Sequence, residues 1–148
     1  MTDALESNKR IVIRFNREFI EQGSMQSFAE LVAEDVVNHS APPGSPDGAR
    51  SMVYFILEIL RKGIPDVKVD IEAQIAEGDL VTTRKVLRGR QTGEFLGLPP
   101  SGMEVAIKVI DIVRVKDGKY AEHWGASNLM EVLQEIRGQT LSRAPSKP

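Results

Sequence analysis

Asp111 and His123 are the residues whose types and spacing point most directly to chemistry. Asp111 stands in a row in which every second residue is apolar, Met103, Val105, Ile107, Val109, Val113 and Val115, the period-two pattern of a strand with one buried face. An unpaired carboxylate among buried aliphatics costs several kcal/mol or takes up a proton, so a chain that places one there supplies a partner or uses its shifted pKa. A hairpin signal, Lys116-Asp117-Gly118-Lys119, follows, and its loop length decides what faces Asp111. A two-residue loop at Asp117-Gly118 sets Trp124 opposite. A three-residue loop at Lys116-Asp117-Gly118, with Gly118 left-handed in a bulge, sets His123 opposite and is favoured because Val113 then faces Ala121 rather than Glu122. On that register Asp111, His123 and Gly125 share one side of the sheet, and Glu122 and Trp124 the other. A carboxylate beside an imidazole on the floor of an apolar pocket is equipped for proton transfer, although the same groups also make sense as a buried polar pair that only satisfies itself.

Other polar residues could join them. His39, preceded by Asn38, enters a loop of three prolines and two glycines, Ala41 to Gly48, where it would line a pocket mouth or serve as a loop hydrogen-bonder. Tyr54 lies off the apolar stripe of its helix, placed to orient a ligand with its hydroxyl or to snorkel at the boundary.

The elements that must position these residues are legible in order. Ser7 to Gln22 reads as an amphipathic helix with Ile11, Val12, Phe15 and Phe19 inward and Gly23 as its stop; Ser24 caps a shorter helix carrying Phe28 and Leu31. A short extended segment ends at His39. Ser45 or Asp47 begins a third helix that runs to Lys62. Val67 to Ile75 and Leu80 to Thr92 read as strands, the second unusually polar on both faces, as suits a wet cavity or a subunit contact. The connection Gly93 to Gly102, stiffened by Pro99 and Pro100, suits a lid over a cavity. After the hairpin, Ser127 or Asn128 caps a last helix to Arg137.

The totals narrow the function. A length of 148 residues with 41% hydrophobic and 27% charged residues describes one globular domain able to bury a sizeable core, expected over 1–138, with 139–148 a disordered tail. The net charge of −2 gives no electrostatic case for nucleic acid. The absence of cysteine and the presence of two histidines argue against a metal site and remove thiolate chemistry. The polar N-terminus and the lack of a run of about 20 apolar residues argue against a signal peptide or a membrane span, leaving the cytoplasm as the default location. No phosphate-binding glycine loop or G-x-S-x-G elbow is present, and no cofactor is expected.

Helix, helix, short strand, helix, four strands and a terminal helix is an α+β layout in which a curved antiparallel sheet wraps around the N-terminal helices as a cone and encloses an apolar pocket. From about Lys9 to Ile136 the chain resembles the SnoaL-like polyketide cyclases, or ester cyclases, of the nuclear transport factor 2-like superfamily. The resemblance rests on Val37-Asn38-His39 before the Pro/Gly loop, Ile64-Pro65-Asp66, Glu77-Gly78-Asp79-Leu80-Val81, Thr92 to Gly102, and Arg114-x-x-Asp117-Gly118-Lys119-x-x-Glu122-His123-Trp124. It implies a homodimer or larger homo-oligomer and a metal-free, cofactor-free aldol cyclisation of a hydrophobic, oxygenated small molecule, in which an aspartate acts as general acid and base. Burial of Trp124, Ile110 and Ile112 on the convex face would suit such a dimer.

The chain departs from the pattern where it matters. The cyclases' catalytic aspartate aligns with Gly125, the histidine before the Thr-Gly of the loop strand with Gln91, and a last-helix aspartate common in relatives with Asn128. Asp111 in turn takes the place of a polar pocket histidine, as though the acid had moved across the hairpin. The resulting expectation assigns proton transfer to Asp111 and His123 with His39 contributing from the loop, Asn38 as a polarising group, and Arg84 as an anchor for a carbonyl or enolate oxygen. Tyr54, Gln91, Phe95 and Trp124 complete the candidates for contact with a bound molecule. The competing expectation is a ligand-binding or dimerisation module of the same fold that has lost its chemistry with the aspartate. Isomerase, dehydratase and hydroxylation-assisting activities also occur within this fold family.

Overall fold

The computed structural model describes residues 2–142. Helix α1 (Thr2–Arg14) runs without a break into a π-helical stretch, Phe15–Glu21, and ends at Gly23, whose φ of +70° only glycine adopts without strain. The Ser24 hydroxyl accepts the Ser27 N–H at 3.1 Å and opens α2 (Met25–Leu31). Strand β1 (Val32–Asn38) leads into the Pro/Gly loop. Asp47 then caps α3 (Gly48–Val53), which continues through a second π-helical stretch, Tyr54–Leu60, into α4 (Arg61–Gly63). Strands β2 (Lys68–Glu77), β3 (Leu80–Arg90), β4 (Glu104–Lys116) and β5 (Lys119–Ser127) follow, and α5 (Leu129–Ser142) closes the order. The last helix extends five residues beyond the expected stop at Arg137, since Gly138 inside a helix costs only about 1 kcal/mol. The expected tail is thereby shortened, and residues 143–148 lie outside the described residues.

The five strands form one curved, unclosed sheet in the order β1-β5-β4-β3-β2. Pairing is antiparallel except at one edge, where β1 lies parallel to β5. The concave face packs on the helices around Phe15, Phe19, Phe28 and Tyr120, whose rings approach one another at 4.6–6.5 Å between centroids. This is the expected α+β cone.

The hairpin register differs from both sequence readings. Asp117 and Gly118 both have positive φ, +52° and +73°, the signature of a two-residue turn matched to strand twist. Lys116 pairs with Lys119, but Ala121 is then bulged out, and beyond it Arg114 faces Glu122, Val113 faces His123 and Asp111 faces Gly125. Because the observed register differs from the three-residue reading by two positions, the same residues still share the concave side.

Candidate functional site

Phe15 and Ile20 of the first π-helical stretch, and Tyr54, Ile56 and Ile59 of the second, form the helical wall of a cavity of about 440 Å³. A π-helical turn re-aims side chains out of the ordinary helical stripe, and such turns recur at functional sites. Leu87, Ile107 and Val109 supply the sheet wall, and Pro42, Pro46 and Leu96 come from the two loops.

Polar groups gather at one end. Asp111 is 4% exposed, and its Oδ2 receives Lys85 Nζ at 3.1 Å and lies 3.5 Å from His123 Nε2. Lys85, also 4% exposed, donates at 2.7 Å to Asn16 Oδ1, and the Asn16 amide donates to the Val12 carbonyl of its own helix. Burial pushes the Asp111 carboxyl up, but the Lys85 charge, followed by His123, more than offsets this and holds it below the ordinary carboxylate value. Asp111 is therefore a carboxylate at neutral pH. Tyr120 lies in the same wall, and its ionisation is pushed well up by burial first and by the Asp111 charge second, so it stays protonated.

His123 sits at the boundary of the cup, its side chain 18% exposed. Its Nδ1 lies 3.0 Å from Asn38 Oδ1, and Asn38 is reached because parallel pairing sets it level with His123. Asn38 also bonds Ser51 Oγ and the Ser40 N–H, each at 3.1 Å. Gly125 stands beside the imidazole: a Cβ there would lie 3.1 Å from His123 Cε1 and 3.2 Å from Nε2.

Asp111 Oδ1 is sealed from solvent and has no hydrogen-bond partner among the described residues.

The other sequence candidates separate. Asn38 and Tyr54 line the cavity, Tyr54 at its mouth with 55% exposure. His39 does not: one residue past Asn38, it falls on the convex face, 2.7 Å from Glu122 Oε2 and stacked on Trp124 at 4.9 Å. Trp124 likewise belongs to that face, beneath the Arg114 guanidinium. Arg84 is exposed on the convex side of β3 and pairs with Glu72, so it cannot anchor an oxygen inside the cup. Gln91 is fully buried but spends its amide on the loop, donating to the Gly93 and Pro99 carbonyls at 2.8 and 3.0 Å and accepting from the Ser101 N–H at 3.0 Å. Phe95 is buried against Gly63 outside the cavity, and its neighbour Leu96 is the loop residue that reaches the cavity wall.

Sequence reasoning missed Lys85, Asn16 and Tyr120. Lys85 shares an inward alternation with Val81, Thr83 and Leu87, and Asn16 sits among Val12, Phe15 and Phe19 on the apolar side of its helix. Each was a polar residue on a face otherwise marked for burial.

The sequence profile of the SnoaL-like polyketide cyclase family matches residues 10–136. The chain belongs to the SnoaL-like polyketide cyclase family. Among solved structures, IdmH from Streptomyces antibioticus, described as a candidate polyketide cyclase, is 28% identical, with a TM-score of 0.75 over 88% of this chain and 98% of its own. A SnoaL-like protein from Jannaschia sp. CCS1 is 27% identical, with a TM-score of 0.78 over 95% and 94%. AclR from Streptomyces galilaeus, described as a candidate hydroxylase, shares the fold at 22% identity, a TM-score of 0.78, and coverage of 90% and 98%. No curated protein sequence gives a significant match. Among the described residues no helix of this SnoaL-like chain is long and apolar enough to cross a membrane.

Proposed function

We propose that this SnoaL-like chain is an acid–base enzyme acting on a hydrophobic, oxygenated small molecule, with aldol-type cyclisation as its reaction and Asp111 and His123 as its proton-transfer pair. The observation that carries the reading is the buried Asp111 carboxyl within 3.5 Å of His123 Nε2 at the wall of an apolar cavity. Both side chains line the cavity, and His123, 18% exposed against 5% for Asp111, is the more openly presented to a ligand. Asp111, behind it, stabilises the imidazolium formed when His123 takes a proton from an acidic carbon, and the proton returns to the developing alkoxide. This division of labour needs no cofactor. Lys85 is the main group that offsets the upward push of burial on the Asp111 carboxyl and helps hold it ionised.

A second reading has its own support. Glycine at position 125, where the cyclases carry their aspartate, suits a cone that holds a ligand without transforming it. Turnover of Asp111→Asn and His123→Ala against a panel of polyketide-like and terpenoid substrates separates the two. The enzyme reading expects each variant to fall about 10²–10⁴-fold below the parent, whereas equal activity in all three would remove the catalytic assignment.

A homodimer joined through the convex face is part of the same proposal. Ile110 and Ile112 are 53% and 36% exposed there beside Trp124, more apolar surface than an isolated cup needs to leave in water.

A further inference from the structure

Strand β1 lies at the edge of the sheet, paired to β5 alone, and its register is interrupted between Val32 and Val37. Its last ladder contacts set Val37 level with Glu122 and Asn38 level with His123, and the His39 N–H donates to the His123 carbonyl at 2.8 Å. An edge with so short a run of backbone bonds opens more readily than the centre of a sheet. On the convex face the His39 side chain adds two further ties. Its ring stacks on Trp124, with centroids 4.9 Å apart and planes 10° from parallel. Its Nε2 meets Glu122 Oε2 at 2.7 Å, and because a carboxylate only accepts, Nε2 donates there whether the ring is neutral or charged. Glu122 is itself held by Arg114 Nε at 3.0 Å, and Arg114 by Asp79 at 2.7 Å, so the anchor is braced from β4 and from the turn between β2 and β3.

What this edge carries on its inner side is the cavity mouth. Asn38 Oδ1 lies 3.0 Å from His123 Nδ1 and accepts the Ser40 N–H at 3.1 Å, and Ser40, Ala41 and Pro42 line the cavity. Gly48, at the start of α3, packs so closely on β1 that a Cβ there would fall 2.0 Å from the Val36 carbonyl oxygen. We propose that His39 is a positioning residue: clamped outside the cup to Glu122 and Trp124, it holds Asn38 and the mouth loop in place inside it. The inference rests on the reading of the cavity as the reaction site and adds control of that site from the opposite face of the sheet. Both outer partners are partly exposed, so the clamp adds little to global stability and acts on the local opening of one edge.

Native-state amide hydrogen exchange on the intact protein, corrected for intrinsic sequence effects, tests the clamp without turnover. In His39→Ala the amides of residues 39 and 40 are expected to exchange about ten-fold faster than in the parent, from the loss of a stack and a part-exposed hydrogen bond, while amides of the β3–β4 ladder keep their rates. Glu122→Ala should accelerate the same two amides, and the double variant should fall short of the product of the two effects, because both changes break one bond. His39→Phe, which keeps a ring for Trp124 but cannot donate, should lie between the parent and His39→Ala. Unchanged rates at residues 39 and 40, equal acceleration of the β3–β4 ladder, or independent effects of the two single variants would each overturn the proposal. Against the panel of polyketide-like and terpenoid substrates, His39→Ala is expected to lower kcat/KM about three- to ten-fold as the competent mouth becomes less populated, and a value equal to that of the parent would overturn the positioning role. A parent without turnover, together with the expected exchange rates, would sink the enzyme reading alone.

Discussion

The two faces of the sheet carry the same chemical kit and use it differently. On the concave side a carboxylate, Asp111, meets a cation, Lys85, at 3.1 Å and an imidazole, His123, at 3.5 Å. On the convex side Glu122 meets Arg114 at 3.0 Å and His39 at 2.7 Å, and Arg114 reaches on to Asp79 at 2.7 Å. By distance the outer set is the better made. Yet its side chains are 26–50% exposed, where water and salt screen each attraction, while the side chains of Asp111 and Lys85 are each only 5% exposed. Surroundings rather than separation decide which cluster can govern stability and proton transfer.

The largest expected effect breaks the inner pair. Lys85→Met leaves Asp111 buried without its cation and is expected to destabilise the protein by about 3–5 kcal/mol in denaturant unfolding, whereas Glu122→Gln on the convex face should change the midpoint far less. Equal losses would show that the contrast between the faces is false. Next in size, 1 M salt, where the screening length is about 3 Å, is expected to erase the stability difference between Glu122→Gln and the parent and to leave that of Lys85→Met in place.

Acidity sharpens the same contrast. Both carboxylates lie below their ordinary values: Asp111 against its burial through Lys85, and Glu122 through its hydrogen bonds from His39 and then Arg114. A carboxylate held below its unfolded value contributes stability that is complete above that value, about 3.9 for Asp and 4.3 for Glu, and lost as pH falls through the folded one. Asp111→Asn should therefore flatten the acid limb of the stability curve below about pH 4 in low and high salt alike, while Glu122→Gln should flatten it only in low salt. Unfolding midpoints collected across that limb read the difference.

Smaller still are changes at the margins of each face. Ile110→Lys on the convex side is expected to shift the sedimentation coefficient to that of a monomer with the fold retained, and an unchanged coefficient would remove the proposed dimer face. Gly125→Ala adds the methyl that crowds His123 and should lower ligand affinity several-fold for about 1 kcal/mol or less of stability.

Much of the cone was readable along the chain because its signals are local. Ser24 and Asp47 cap the helices that sequence pattern assigns to them, Gly23 takes the left-handed conformation that ends the first helix, and alternation marks β2 and β4. The candidate site was legible only in part. Asp111 among aliphatics announced a buried carboxylate, but Lys85 stood in a strand polar on both faces, and nothing short of the β3–β4 register says that it lies diagonally from Asp111. His39 and Asn38 are adjacent in sequence and look like one polar cluster, yet a strand sends consecutive side chains to opposite faces, so one reaches His123 and the other Trp124.

The sequence alone determined the family, the order of elements, and the side of β4 and β5 on which Asp111 and His123 fall, since period-two alternation survives any even shift of register. Tertiary structure decided the rest: a bulge at Ala121 set Gly125 opposite Asp111, parallel docking of β1 brought Asn38 to His123, and closure of the helices over the sheet buried Lys85 with Asp111. Contacts between residues far apart in the chain depend on how whole elements pack, and no local run of residues encodes them.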